Sequence, residues 1–294
     1  MSQNPSDPQR TDMAKVDHGV SIIIPANNEE KYIADCLHSL LTSEEPGAKI
    51  EVIVAANGCS DKTVERAYST KNDFKTKCWD LTIIDIPDGG KPLALNKGDA
   101  AASYADRIYL DADIIISKLL LRDLVGFLKF QTPVYASGNL TIPKAKSVIS
   151  NYYARFWQKL PFVADDIPGC GVFAVNSHGR KRWEEFPKII SDDIFARSHF
   201  SEGEMYKSME EFQWPITEGF FSLVKVRRRQ DAGLQEVREK FPELVDNVKP
   251  TRPSLTRKIR LFFSDPVGFT VYSTVAVAVR MPIFKNKSIW YRGR

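Results

Sequence analysis

The 294 residues are 43% hydrophobic and 27% charged, with a formal net charge of +4. That is the composition of a soluble globular chain, long enough for one large domain or two small ones. No apolar run reaches the roughly 18 residues a spanning helix needs, and no signal-peptide core stands at the N-terminus. The four cysteines, Cys36, Cys59, Cys78 and Cys170, lack any Cys-x-x-Cys spacing, which suits free thiols in a reducing cytoplasm better than a zinc or disulfide framework.

Charge is unevenly spread. Residues 249–294 hold ten Lys and Arg against Asp265 alone, a net +9, so residues 1–248 sum to −5. A basic end of this kind implies an anionic partner: a membrane surface, a phosphorylated substrate or nucleic acid. No recognised nucleic-acid motif accompanies it, so nucleic acid is not expected.

Residues 1–18 are polar, with two prolines and no apolar period, and read as a disordered arm. Four apolar strands follow, at 20–25, 50–55, 81–86 and 107–110. They alternate with helices at about 29–42, 61–71, 91–104 and 119–130. Strand–helix alternation predicts a parallel sheet covered on both faces, with right-handed crossovers.

Polar residues gather where these strands end. Pro25-Ala26-Asn27-Asn28-Glu29-Glu30 follows the first strand and Ala56-Asn57-Gly58-Cys59-Ser60-Asp61 the second. Turn and cap chemistry accounts for much of both. After the third strand, Gly89 and Gly90 precede Lys91 at a helix start, an arrangement that suits a phosphate. Neither a Walker loop nor Gly-x-Gly-x-x-Gly is present. The fourth strand ends in Asp111-Ala112-Asp113. Residues i and i+2 of a strand share a face, so Asp111 and Asp113 can converge on one hard cation.

Beyond Asp113 the alternation weakens. A strand is expected over 134–140, an aromatic amphipathic helix over 145–160, and a glycine turn at 168–171 leading into a strand to 175. A short helix at 180–186 precedes Asp192-Asp193, two acids that open a helix and also suit its N-terminus as caps. Residues 218–228 read as a strand ending in Arg227-Arg228-Arg229. His178 and His199 read as surface or helix residues rather than metal ligands. From Ser254 the spacing of Leu255, Ile259, Phe262 and Phe263, with Arg257, Lys258 and Arg260 between them, gives a basic amphipathic helix. It either packs on the main domain or lies in a membrane interface. Residues 267–279 are apolar but too short to span.

In this order, from Val20 to about Gln230, the pieces resemble the family 2 glycosyltransferases with a GT-A fold. The resemblance implies an α/β fold: a mostly parallel central sheet flanked by helices over 19–248, with a basic helical extension over 249–294. It implies an inverting, metal-dependent enzyme using a nucleotide-sugar donor. Pro25, Ala26, Asn28, Glu29 and Asn57 would hold base and ribose. The family often carries an acid where Asn57 stands. An amide can donate as well as accept, so UDP is favoured while GDP or another nucleotide stays open. Lys91 and Asn96 would lie near ribose and diphosphate. Asp111 and Ala112 would line the donor site, and Asp113, with Asp111, would bind Mn²⁺ or Mg²⁺. Asp193 would be the catalytic base, with Asp192 the acid before it. Gly169 and Gly171 would shape the sugar and acceptor pocket, and Arg228 and Arg229 would contact the donor diphosphate or a phosphorylated acceptor.

Processive synthases carry a Trp after their arginine and thread polymer through spanning helices. Neither feature is seen here, so transfer of a single sugar is expected. The acceptor would be a lipid-linked glycan or polysaccharide at the cytoplasmic face of the cell membrane, with the basic tail on anionic lipid. Two other readings compete: a non-catalytic glycan- or nucleotide-binding protein of the same fold, and a sugar-phosphate nucleotidyltransferase. The latter should show a glycine-rich loop after the first strand, where this chain has Asn27-Asn28-Glu29-Glu30.

Overall fold

The computed structural model describes residues 18–167, 169–248 and 254–281. The expected disordered arm, save His18, and residues 282–294 of the basic tail lie outside the described residues.

The first half of the chain runs β1 (Gly19–Ala26), α1 (Ile33–Leu41), β2 (Lys49–Asn57), α2 (Thr63–Ser69), α3 (Lys71–Thr76), β3 (Asp80–Ile86), α4 (Lys91–Ala101), β4 (Asp106–Leu110), β5 (Ile115–Ile116) and α5 (Leu120–Leu128). The second half runs β6 (Tyr135–Thr141), α6 (Val148–Trp157), α7 (Pro161–Ala164), β7 (Val172–Val175), α8 (Ser177–Arg180), α9 (Asp192–Ser198), β8 (Met205–Gln213), α10 (Phe220–Lys240), α11 (Leu255–Ser264) and α12 (Pro266–Arg280).

One sheet holds all eight strands, in the order β3-β2-β1-β4-β7-β6-β8-β5. The strands β3, β2, β1 and β4 are parallel, with Ile22 opposite both Val52 and Ile108. Residues Val20 to Ala26 of β1 are all buried, an apolar run broken only by Ser21, as in a central strand covered on both faces. Helix α1 buries Ile33, Cys36, Leu37 and Leu40, an i, i+3, i+4, i+7 stripe against the sheet. Helix α4 comes close to β1 because residue 98 is glycine. A Cβ there would meet Ile23 Cγ2 at 2.5 Å.

Strand β7 is antiparallel to both β4 and β6, while β6 and β8 are parallel to each other. The C-terminal ends of β1, β2, β4, β6 and β8 therefore all face one edge of the sheet. In open α/β sheets that edge is where ligands bind.

Three expectations need correction. Within residues 218–228, Phe220 onward forms the start of a 21-residue helix, not a strand. Phe220, Phe221, Leu223, Val224 and Val226 satisfy a strand or a buried helix when read alone. Over the full length, the buried Leu223, Gly233 and Val237 fall on one helical face. The expected helix at 61–71 is two helices that meet at Thr70. The helix expected at 180–186 does not form: α8 ends at Arg180, and residues 181–186 are turn, bend and irregular chain. Strand β8 has no counterpart among the predicted elements.

The described part of the C-terminal extension lies on the domain. Phe269 and Tyr272 of α12 pack on Phe156 of α6, and Tyr272 also on Tyr153, with centroids 5.3–5.6 Å apart. Arg155 grips the buried Asp265 with two bonds, Nε at 2.7 Å, and Asp265 caps α12 through Gly268 N–H at 2.9 Å. Among the described residues no single helix is long and apolar enough to cross a membrane. Helices α11 and α12 meet the length and composition of a span only as a pair, bent by 117°.

Candidate active site

A cleft of about 250 Å³ opens along the C-terminal edge of the sheet. Pro25, Asn27 and Glu29 reach it from the end of β1, Asn57 from β2, and Asp111, Ala112 and Asp113 from β4. Lys91 enters from the start of α4. Cys170 and Gly171 come from the turn before β7, and Ile190, Ser191, Asp192 and Asp193 from the start of α9. Chain reversal at β7 brings the glycine turn beside the aspartates: Asp111 N–H donates to the Gly171 carbonyl at 2.7 Å. Gly169 and Gly171 have φ of 67° and 76°, a region that disfavours any residue with a Cβ. Gly169 lies in a smaller recess that also touches Lys91, Asp192 and Asp193.

Lys91 is the electrostatic centre. Its Nζ lies 2.8 Å from Asp111 Oδ1 and 3.0 Å from Asp192 Oδ2. Burial opposes its charge, but the carboxylates of Asp111, Asp192 and Asp193 outweigh burial and hold its pKa above the ordinary value. Asp193 is pushed up to about 6, first by burial and then by the neighbouring Asp192 carboxylate; Lys91 and the Ile194 N–H pull the other way. A carboxyl of that pKa is a base poised for work near neutral pH. Burial and the Asp193 charge also raise the Cys170 thiol well above its usual range, so this cysteine stays a neutral thiol.

Several residues expected to contact the donor also hold the loops together. The Asn57 amide donates to the Ala26 carbonyl at 2.9 Å and accepts from Gly90 N–H at 2.8 Å, tying together the loops after three strands. The Asn28 side chain accepts from Ser60 N–H at 2.6 Å, and its backbone has φ 51°. Glu29 N–H donates to Thr63 Oγ1 at 2.6 Å while the residue lines the cleft. Ala26 is fully buried and presents only backbone.

Asn96 and Arg228 stand elsewhere. Asn96 donates to the Phe186 carbonyl at 3.0 Å and accepts its N–H at 2.7 Å, so its amide pins the 183–187 loop. Arg228 bonds the carbonyls of Val279, Ala278 and Met281 at 2.8, 3.1 and 2.6 Å, holding the C-terminal end of α12. The reason is the helical period. On α10, Leu223, Val226, Arg229 and Gln230 face the cleft, while Arg227 and Arg228 turn toward α12. Arg227 donates to Tyr272 Oη at 3.0 Å. His199 packs on Trp183 and Phe195, and His178 sits on α8; neither lines the cleft.

Sequence reasoning missed the far wall of the cleft: Tyr153 and Trp157 of α6, and Trp214, Pro215, Ile216 and Thr217 after β8. The run Met205–Gln213 carries no apolar alternation, since Ser208 and Glu210 share a face with Tyr206 and Phe212, so Trp214-Pro215 alone marked where it stops.

Among the described residues no three His, Cys, Asp or Glu side chains gather as a ready-made cation site. Asp111 and Asp113 both line the cleft. Two carboxylates fit a cation whose remaining ligands are donor phosphate oxygens and water.

Fold and cleft together define an α/β protein with a ligand cleft at the C-terminal edge of a mostly parallel sheet. Residues 21–183 match the family described as Glycosyl transferase family 2, and the chain belongs to that family. It is 27% identical over 263 residues to the 4,4'-diaponeurosporenoate glycosyltransferase of Staphylococcus aureus, covering 83% of this chain and 65% of that protein. It is 37% identical over 98 residues to the poly-beta-1,6-N-acetyl-D-glucosamine synthase of Staphylococcus epidermidis, covering 33% of this chain and 22% of that one. The aligned part thus spans less than two thirds of either relative. Among solved structures, the mannosyltransferase PcManGT of Pyrobaculum calidifontis, in complex with GDP-Man and Mn²⁺, superposes with a TM-score of 0.53 at 16% identity. That match covers 88% of this chain and 74% of that one. The glucosyl-3-phosphoglycerate synthase of Mycobacterium tuberculosis does so with 0.53 at 19% identity, covering 76% and 80%. At these identities the likeness is one of fold.

Proposed function

We propose that this chain is an inverting, metal-dependent glycosyltransferase. It moves one sugar from a nucleotide-sugar, UDP favoured, to a hydroxyl of a lipid-linked or polysaccharide acceptor at the cytoplasmic face of the cell membrane. In this reading residues 19–248 are the catalytic domain and 249–294 the extension that meets anionic lipid. The observation that carries it is the cluster of Lys91, Asp111, Asp192 and Asp193 in one cleft at the C-terminal edge of the sheet.

The chemistry divides between the residues. Asp193 takes the proton of the acceptor hydroxyl, a general-base contribution of about 10²–10⁴-fold. Attack from the face opposite the leaving group inverts the anomeric carbon. Lys91 places positive charge where the departing diphosphate gathers negative charge. Asp192 holds Lys91 in place and keeps the Asp193 proton affinity high. Asp111 and Asp113 would hold Mn²⁺ or Mg²⁺, which supplies Lewis-acid stabilisation of the leaving group when bound. Glu29 and Arg229 line the same cleft.

The test is thermal denaturation of the full chain with UDP, GDP, CMP or dTDP, each with Mn²⁺ and with EDTA. A ligand of the folded state alone stabilises it by about 2.7 kcal/mol at 100 times its Kd. The expected result is a Mn²⁺-dependent rise with one nucleotide diphosphate, UDP first, that disappears in Asp113→Ala. No rise with any of the four overturns the donor assignment.

A further inference from the structure

The cleft has two chemically different halves, and the sheet order sets them apart. The ends of β2, β1 and β4 supply one half, with Asn57, Asn27, Glu29, Asp111 and Asp113. The exit of β8, on the other half of the sheet, supplies Trp214 and Ile216. Tyr153 and Trp157 of α6, and Leu223 and Val226 of α10, complete that side. Lys91, Asp192 and Asp193 line the cleft along with both halves.

The second half is a built wall, not a chance exposure of apolar residues. The rings of Trp157 and Trp214 stack at 5.5 Å and 25°. Trp214 N–H donates to the Thr141 carbonyl at 2.8 Å, which fixes the β8 exit to the end of β6. Ile216 and Val226 remain partly open to the cleft. A subsite for a sugar ring pairs an aromatic platform with several polar groups for the ring hydroxyls. Here the platform continues into aliphatic side chains, and Arg229 and Gln230 are the polar residues of the α10 face.

The same wall is joined to the exposed apolar surface of the molecule. Helix α6 turns Tyr153 and Trp157 to the cleft and packs Phe156 on Phe269 and Tyr272 of α12. Helix α11 precedes α12 at the Asp265 bend and leaves Leu255 74% and Phe263 73% exposed, with Ile259 and Phe262 also open. Arg257, Lys258 and Arg260 lie between them. An isolated exposed leucine means little, but an apolar stripe interleaved with cations matches a lipid interface.

We infer that the wall of Trp157, Trp214, Ile216, Leu223 and Val226 is an acceptor subsite for an alkyl or prenyl chain. The acceptor is then an amphiphile whose hydroxyl reaches Asp193 while its apolar body lies along this wall. This rests on the glycosyltransferase reading and narrows its acceptor from lipid or polysaccharide to lipid. Apolar contact is the recognition principle, so affinity follows chain length, by up to about fourfold for each buried methylene.

The test uses the tryptophans as reporters. Full-length protein is titrated with 6-bromohexanol, 8-bromooctanol and 11-bromoundecanol below their micelle concentrations, and indole fluorescence is followed. The expected result is saturable quenching that tightens with chain length in the wild type and weakens at least tenfold in Ile216→Asn or Val226→Asn. Maltotriose in excess should not displace it. If an asparagine variant loses its thermal transition, Ile216→Ala and Val226→Ala replace it, with a severalfold weakening expected. Quenching that is unsaturable, independent of chain length, equal in the variants, or abolished by maltotriose overturns the proposal. The UDP and Mn²⁺ thermal shift of the wild type reads the donor half separately, so a failed donor site and a failed acceptor subsite are told apart.

Discussion

The Lys91 ammonium stands 3.0 Å from an Asp192 carboxylate oxygen, joining the helix after the third strand to the helix that opens with two acids. Its other partner, Asp111, lies at 2.8 Å. One cation thus balances carboxylates from two distant parts of the chain. Lys91→Met removes that balance. Lys91 lowers the proton affinity of Asp193, so the variant's Asp193 titrates above pH 6. The expected outcome is a kcat/KM profile whose acidic limb moves to higher pH, with weaker UDP binding by titration calorimetry.

Asp193→Asn should lower kcat by about 10²–10⁴-fold and keep the Mn²⁺-dependent thermal shift with UDP. Loss of both readouts would mean that the residue shapes the donor site rather than acting as base. In the wild type the base must be ionised, so turnover rises as pH passes about 6 and then levels.

Stability responds to the same group with the opposite sense. Asp193 titrates near 6 when folded, against 3.8 for an ordinary aspartate. Folding therefore favours its neutral form. That stabilisation is complete below about 3.8 and is lost as pH rises through about 6. The unfolding midpoint of the wild type, relative to Asp193→Asn, is expected to fall across this interval.

Gly169→Ala should be strongly destabilising. Its φ is +67°, and a Cβ would come within 1.9 Å of Tyr135 Oη. The Tyr135 ring is fully buried, between Phe173 and Phe200 at 5.4 and 5.3 Å, so it has nowhere to retreat. Tyr135→Phe removes a buried hydroxyl that has no hydrogen-bond partner and should be neutral or stabilising. Thermal denaturation of the two single variants checks both statements.

The extension gives a pair of contrasting variants. Asp265→Ala removes a helix cap worth about 0.5–2 kcal/mol together with its ion pair to the half-exposed Arg155, and lowers Tm. Arg155 hydrogen bonding holds the Asp265 carboxyl below its ordinary pKa. This stability is therefore present above the usual carboxylate pKa and lost as pH falls. Arg228→Ala frees the carbonyls at the end of α12 and also lowers Tm, whereas Arg229→Ala, on the cleft side, should weaken ligand binding with less change in Tm.

The polar half of the cleft was legible from sequence because it is local. Each polar group follows a strand whose apolar run marks where it ends, so Asp111, Asp113, Asn57 and Lys91 could be placed from spacing alone. The aromatic half was not legible. Trp157 and Trp214 stack across 57 residues of chain, and nothing in their neighbourhoods announces the partner. Arg228 was misassigned for a related reason. Read as a strand, 218–228 gives no ground to separate adjacent arginines. Read as a helix, it sends Arg229 to the cleft and Arg228 to α12. The i, i+4 pair of Arg227 and Asp231 was a helical signal that lay just past the end of the window. Asn96 shows the limit of resemblance: its residue type fits a ligand contact, but Phe186, ninety positions later, takes both ends of its amide.

Asn57 bears on any attempt to redesign nucleotide preference. Its oxygen receives Gly90 N–H and its nitrogen faces the Ala26 carbonyl. Exchange to Asp would keep the first bond but set an anionic oxygen against a carbonyl oxygen. Three loops would then part at the seam where the proposed donor's nucleoside would rest. Specificity engineering at this position alone would be read out as a folding defect. A successful exchange would have to begin with whichever neighbour can relieve the Ala26 carbonyl.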